Sequence, residues 1–365
     1  MSFLIGILSA NLYAIKYIPI STSILLLFAC NLHFILGGTL DITVHERGPQ
    51  QAGIKEIHRV SGKDLGGQQV NKKFETLLEN IFSQKILNKI KHETPEYWME
   101  IMEDFEDNKR IISEGNEYEA DICIKQSKYS WESLKSRIDN YGSDIRIEGE
   151  LLIIPPKVIK EMITDVCTSI LQYVGGLRLP DVDAILMVGG FSNSNILQKM
   201  IKENFREIPV NIPDNGQLCV VKGAVMFGWK QDIIISRKSR YRYSLRLNDK
   251  NDPSSKLKQK VNYLSLVERD EDIRHDQSKT YEIDHNISNA SYTLIELYRS
   301  VDEISIEQVG RFCLEKKERS RGNPIKLEIF FGDSEIRVEA TDKTTGDVKE
   351  GRFKFFCQRE VFYSD

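Results

Sequence analysis

Cysteine is scarce and scattered in this sequence. Its six copies, Cys30, Cys123, Cys167, Cys219, Cys313 and Cys357, form no C-x-x-C pair. That spacing argues against a structural zinc site and against a disulfide scaffold, and the thiols read as buried groups of a reducing compartment. The six histidines show no H-E-x-x-H or other ligand spacing, so His45, His58 and His92 read as surface or strand residues. A basic excess is missing too. With 50 Lys and Arg against 54 Asp and Glu, and a net charge of −4, the chain offers nucleic acid no electrostatic reason to bind. Two local basic stretches, Arg237 to Arg242 and Lys316 to Arg321, carry few stacking aromatics and read as solvated linker or loop.

Long apolar runs are absent but for one. Ile18 to Leu36 carries no formal charge and includes Ile24-Leu25-Leu26-Leu27-Phe28-Ala29, long enough to cross a bilayer. Pro19, Ser21, Thr22, Ser23, Asn31 and His33 dilute it, Lys16 is its only basic flank, and no clean small-residue cleavage site follows. Three readings of residues 1–36 stay open: a truncated or misassembled start, a membrane anchor, or a secretion signal. Only the second would bring the chain to a membrane.

What is present is ordinary globular composition, 41% hydrophobic and 28% charged over 365 residues, enough for two or three domains. Leu40 to Val60 alternates as two strands around a Gly48-Pro49 turn. Helices are expected after Gly66-Gly67, with Val70, Phe74, Leu77, Leu78, Ile81 and Phe82 on one face, and from about Glu96 to Ser113. Ala120 to Ile124 and Leu151 to Ile154 read as strands. A helix opened by Pro155-Pro156 buries Ile159, Ile163, Val166, Ile170 and Val174. Ala184 to Val188 is apolar throughout, as a strand covered on both faces should be, and runs into Gly189-Gly190. Helices at Ser194 to Phe205 and Val220 to Trp229 complete an α/β pattern. Beyond Ile235 come short alternating strands, an all-β module after a polar insertion at Asn248 to Lys260. The expected domains are therefore 1–36, 37–235 and 236–365.

Three glycine turns carry the functional reading: Gly37-Gly38-Thr39, Leu65-Gly66-Gly67 and Val188-Gly189-Gly190. Glycine admits close backbone approach, and free amides at such turns accept phosphate oxygens, above all where a helix begins next. Any one of them alone is plain turn chemistry. By the residues alone, without the flanking turns, Glu106, Lys109 and Arg110 read as an exposed i, i+3, i+4 ion-pair face.

In order, the G-G-T-x-D turn, the L-G-G turn, Phe105-Glu106-Asp107-Asn108-Lys109-Arg110, Leu186-Met-Val-Gly-Gly-Phe-Ser192 and Val221-Lys-Gly-Ala-Val-Met-Phe-Gly228 resemble the second lobe of the actin and heat-shock-70 ATPase fold. The resemblance is closest to the divergent heat shock 70 kDa protein 12 branch and runs from Gly37 to the last strand. It implies an α/β lobe followed by a small β-sandwich similar to that family's peptide-binding domain. Gly37, Gly38 and Thr39 match the second phosphate turn, and Gly66 and Gly67 the turn beside the nucleotide. Glu106, Lys109, Arg110 and Ser113 match the helix bordering adenosine, with the carboxylate suited to ribose hydroxyls and the guanidinium to a purine face. Gly189 and Gly190 match the adenosine-motif glycines, and Asp214 an acidic residue of the next loop. The implied cofactor is ATP or ADP, held weakly, with Mg²⁺ accompanying it; the implied partners are extended peptide clients, with no helical lid encoded; the implied location is cytoplasmic.

The departures bear on activity. Phe34, Ile35 and Leu36 stand where the family places an acidic residue before the phosphate turn, a third glycine is lost, and Phe191 and Asn193 replace small polar and arginine residues. Upstream of Gly37 nothing matches the first lobe, with its own phosphate turn, lysine and general-base carboxylate, and phosphoryl transfer needs groups closing from both sides. The expectation is binding with hydrolysis weak or absent. Its rivals are an active ATP-dependent chaperone in full-length form and a membrane-tethered scaffold with relic turns. Residues 30–36 are expected to be apolar enough to pair in the sheet in place of the family's own strand.

Overall fold

The computed structural model describes residues 30–47, 53–113, 119–123, 138, 144–248, 263–275, 277–284, 292–301, 305–315, 324–331 and 336–353. The Gly48-Pro49 turn, Lys316 to Arg321, most of the polar insertion and residues 1–29 of the apolar segment lie outside them.

Three strands open the fold: β1 (Cys30–Leu36), β2 (Leu40–Glu46) and β3 (Ile54–Lys63). β1 and β2 form a hairpin around Gly37-Gly38-Thr39, and β1 also lies parallel to β7 (Ala184–Val188). Residues 30–36 thus take a place inside the sheet, as their apolarity leads one to expect, so that end of the apolar run is strand. No helix among the described residues is long and apolar enough to cross a membrane.

Between β3 and β7 come α1 (Gly67–Phe82), α2 (Gln84–Glu93), α3 (Pro95–Ser113), a small sheet of β4 (Ala120–Cys123), β5 (Arg146–Glu148) and β6 (Leu151–Ile154), and α4 (Pro156–Gly175). The expected apolar stripes of α1 and α4 are buried in full. α2 is the addition: its short stripe, Leu87 and Ile90, is too sparse to read as a helix from pattern alone, and Ser83, at φ 74°, breaks it from α1. One core gathers β2, α1, α3, the small sheet, α4 and β7, and within it Phe74 and Phe105 stack at 3.9 Å, fixing α1 to α3.

After β7 follow α5 (Asn195–Asn204), β8 (Val210–Asn211) and α6 (Gly216–Trp229). Mixed helix and strand make this an α/β fold. The remaining strands are β9 (Ile234–Lys238), β10 (Arg242–Asn248), β11 (Leu264–Val267), β12 (Asp272–Arg274), β13 (Ser278–Asp284), β14 (Tyr292–Ser300), β15 (Ile306–Glu315), β16 (Pro324–Phe330), β17 (Ile336–Asp342) and β18 (Val348–Phe353). Eight of them make two four-stranded sheets, β11-β10-β14-β15 and β13-β16-β17-β18, whose inward residues share a second core. Strict alternation on β16 and β17 supplies it with Ile325, Leu327, Ile329, Ile336 and Val338.

The seven-stranded sheet runs β12-β9-β3-β2-β1-β7-β8. β9 straddles residue 235 and β12 returns from the C-terminal part to pair with it, so the large sheet continues past the expected boundary. The basic stretch at Arg237 to Arg242 is correspondingly ordered, not a solvated loop: Lys238 pairs with Asp272 at 3.0 Å, Arg242 with Glu268 at 3.3 Å, and the Arg237 guanidinium lies 5.3 Å from the Phe227 ring centre. Among the described thiols Cys167 and Cys219 are buried, whereas Cys313 is exposed, because it falls on the outward side of alternating β15.

Candidate functional site

Strand register brings the glycine turns together. β1 and β7 are parallel, with Ile35 opposite Val188, so the chain leaves both strands at the same end of the sheet. Leu36 pairs with Leu40 across the hairpin, and Leu40 pairs with Lys63 at the end of β3. The turns at 37–39, 66–67 and 189–190 therefore lie side by side at one edge. In open α/β sheets this is where ligands bind.

Contacts between the turns fix them further. The Gly67 amide donates to Gly37 O at 2.9 Å, and the Gly189 amide to Gly216 O at 3.0 Å, at the start of α6. A side chain at Gly66 is impossible without movement, since a Cβ there would sit 2.5 Å from Gly37 O and 2.8 Å from Gly38 O. The glycine is what lets α1 begin against the Gly37-Gly38-Thr39 turn. Above Gly37 and Gly190, by contrast, a Cβ would meet nothing within 4 Å. Those two face open space.

That space is a cleft of about 560 Å³, lined by Gly37, Gly38, Gly67, Gln68, Asn71, Glu106, Lys109, Arg110, Gly190, Phe191, Asn193 and Ser194. The Phe74–Phe105 stack explains one wall. Asn71 lies a turn before Phe74 on α1, and Lys109 a turn after Phe105 on α3, so the stack aims both at one point. There Lys109 Nζ donates to Asn71 Oδ1 at 2.8 Å, to Glu106 Oε2 at 2.5 Å and to Gly67 O at 3.4 Å, while Asn71 Nδ2 donates to the same Glu106 oxygen at 3.2 Å. Lys109 is only 4% exposed. Burial lowers its pKa, an effect the neighbouring Glu106 carboxylate opposes.

The exposed ion-pair face is thus half right. Glu106 Oε1 lies 3.7 Å from Arg110 Nε, an i, i+4 pair whose arginine is 68% exposed. Lys109, however, occupies a position of the buried stripe Tyr97, Ile101, Phe105, Ile112. A lysine on such a stripe was the available signal that it serves a site. Asn71 and Gln68 had no comparable signal, being polar residues on the first turns of an amphipathic helix.

Polar supply at the cleft floor is backbone. The amides of Gly38 and Gln68 have no intramolecular acceptor among the described residues, and Gln68 sits at the N-terminus of α1, whose first turn holds no acidic residue. A second helical start contributes at the 3-10 turn Gly190–Asn193, followed by Ser194, which caps α5 by accepting from the Leu197 amide at 3.5 Å.

The expected residues divide as follows. Gly37, Gly38, Gly67, Glu106, Lys109, Arg110 and Gly190 line the cleft. Gly66 and Gly189 stand immediately behind it as supports. Thr39 turns toward Asp41, its hydroxyl donating to Oδ2 at 3.2 Å. Ser113 closes α3, and its side chain is outside the described ones. Asp214 is not in the cleft: it lies exposed in a neighbouring depression with Pro213, Gln198 and Lys202, the two hollows sharing Asn193. Loop 212–215 follows β8 at the sheet edge, one strand beyond the turn after β7, which is why it misses. Among the described residues no group of three or more His, Cys, Asp or Glu could hold a metal ion.

Comparison with known proteins follows the same line. No family model matches the chain. It is similar to heat shock 70 kDa protein 12A of Mus musculus and of Homo sapiens, each 26% identical over 86% of this chain and 52% of the relative. Heat shock 70 kDa protein 12B of Homo sapiens is 24% identical over 85% of this chain and 51% of the relative. These are its homologues, and the resemblance read from the glycine turns holds. The chain spans about half the length of the curated relatives it matches.

Proposed function

We propose that the chain is an actin-like, heat-shock-70-related binding protein whose cleft takes an adenine nucleotide with little or no hydrolysis. One observation carries this: glycine turns far apart in sequence and the Glu106, Lys109, Arg110 cluster face one cleft of about 560 Å³, a size suited to a small-molecule ligand. The Gly38 amide in the first turn and the Gln68 amide at the start of α1 would hold phosphate oxygens. Lys109 steadies Glu106 through Oε2, which leaves Oε1 turned to Arg110 and able to accept from ribose hydroxyls. The Arg110 guanidinium, mostly exposed at the rim, offers a planar face to a purine. A bound nucleotide supplies the phosphate charge and the ring on which these groups act.

Little hydrolysis follows from the same lining. Orienting an attacking water needs a carboxylate or an equivalent base. Glu106, the one carboxylate among the described lining residues, is tied through Oε2 to Lys109 and Asn71, and its Oε1 is the acceptor assigned to the ribose. Calorimetric titration of the chain with ADP and ATP, alongside phosphate release, tests the reading. Expected are saturable binding and release no faster than the buffer blank; turnover at ordinary enzyme rates, or no binding of either nucleotide, would refute it.

For the C-terminal strands the reading is a β-sandwich, similar to a peptide-binding domain, that takes extended peptides at a sheet edge. Its support is that exposed Leu264, Ile306 and Val348 sit on β11, β15 and β18, each the outermost strand of its sheet. Unpaired edges accept a further strand through backbone bonds. Fluorescence anisotropy of a labelled extended peptide should rise saturably and fall off in Val348→Lys; an unchanged titration in that variant would remove β18 as the edge.

A further inference from the structure

Resting on the nucleotide reading above, we infer that the cleft takes its ligand as the uncomplexed polyphosphate anion, the protein itself supplying the neutralisation that a phosphate-bound Mg²⁺ would bring. Mg²⁺ demands oxygen ligands in near-octahedral order and is ordinarily steadied by one or two carboxylates, directly or through its waters. Among the described residues, the acidic groups nearest the three turns are not placed to do this. Glu106 is held through Oε2 by Lys109 and Asn71, and its Oε1 faces the Arg110 guanidinium at 3.7 Å. Asp64, beside the second turn, is paired with Lys72 at 2.7 Å. Asp41, behind the first turn, receives the Thr39 hydroxyl on Oδ2 and does not line the cleft; burial raises its pKa. Apolar β1, ending Phe34-Ile35-Leu36, delivers no acid to the first turn either.

Positive potential, in contrast, is built in. Among the described lining residues Lys109 and Arg110 outnumber the Glu106 carboxylate, Asp107 meeting Arg110 at 3.9 Å from outside the lining. The free amides of Gly38 and Gln68 and the start of α1, without an acid in its first turn, add partial positive charge at the cleft floor. A chelated Mg²⁺ cancels two of a diphosphate's charges, and with them much of the attraction these groups exert. The donor set therefore fits a free nucleoside diphosphate and does not fit a protein-anchored metal.

The test is ADP binding to the full chain by calorimetry, at matched ionic strength, once with EDTA and once with saturating MgCl₂. Expected is tighter binding in EDTA by about threefold or more, the worth of one exposed charge contact. Arg110→Ala, a change at the exposed rim that leaves the core untouched, should shrink that ratio toward one. Equal affinities, or tighter binding with Mg²⁺, would overturn this inference while leaving the nucleotide reading in place. Absence of ADP binding under both conditions would overturn both. An Arg110→Ala loss of the same factor in EDTA and in Mg²⁺ would overturn the neutralising role assigned to the guanidinium and leave stacking as its function.

Discussion

Alanine at Gly66 should loosen the joint on which the cleft is built. Its methyl group would stand 2.5 Å from Gly37 O and 2.8 Å from Gly38 O, whereas carbon and carbonyl oxygen in close contact rest about 3.3–3.6 Å apart. One side must retreat by about 1 Å. Neither can do so freely, because Gly37 belongs to a hairpin paired on both sides within the large sheet, and α1 is seated by its buried stripe. Overpacking of this kind costs about 1–3 kcal/mol. The Gly67 N–H to Gly37 O bond, 2.9 Å long, is the first to break under such a shift, adding about 1 kcal/mol. A total of about 2–4 kcal/mol moves a urea midpoint by about 1 M, given an m-value of about 3 kcal/mol/M for a chain this long.

Gly37→Ala is the matched control. Its Cβ meets nothing within 4 Å, so its urea curve should overlie that of the parent while ADP binding weakens, since the added methyl enters the cleft. Urea unfolding followed by circular dichroism, with ADP titration of each folded variant, separates the two. Overlapping urea curves for Gly66→Ala and the parent would refute the close approach of the two turns, and with it the geometry of the cleft.

The buried polar groups around Arg237 make stability depend on pH in two opposed ways. Burial pushes the Glu56 carboxyl up to about 8, so its contribution is complete below the ordinary carboxylate range and is lost as pH rises from about 4.5 through 8; burial and Arg237 hold His45 down near 3, so its contribution is complete above 6.5 and is lost as pH falls below that. Urea midpoints measured from pH 5 to 9 should decline on the alkaline side, and Glu56→Gln, whose amide oxygen can still accept from the Lys238 amide now bonded at 3.1 Å, should flatten that decline. A variant profile parallel to the parent's would refute it. Lys109→Met leaves Glu106 Oε2 and Asn71 Oδ1 without their shared donor; it should cost about 1–3 kcal/mol in urea unfolding and weaken ADP binding, and an unchanged value of both would show the network to be idle.

What the sequence made legible was whatever depends on neighbours along the chain. The stripes of α1 and α4 follow from 3.6-residue periodicity, the wholly apolar Ala184 to Val188 from burial on both faces, and the glycine turns from the strands they end. What stayed hidden depends on partners far away. Asn71 meets Lys109 across 38 positions, and only the Phe74–Phe105 stack, itself unreadable, brings them together. α2 escaped notice because two buried residues in ten make no pattern. Asp214 was placed by order in the chain, but order does not say which strand a loop follows, and β8 carries it one place beyond the cleft.

The basic stretch at residues 237–242 shows the same principle from the other side. Charge-rich and poor in aromatics, it has the composition of a solvated linker, yet it sits within and between two strands. Lys238 reaches Asp272 of β12, and its backbone amide donates to Glu56 of β3. β3 is also the strand that ends at Lys63, next to the Gly66 turn. A single hydrogen-bonded ladder therefore runs from β12, beyond the expected boundary, through β9 and β3 to the joint beneath the cleft. Charge composition reports how well a segment tolerates water; it carries no information on whether a buried carboxylate and a returning strand are waiting to pair with it. Here both are, and that pairing makes the stretch a structural seam between the α/β unit and the strands that follow.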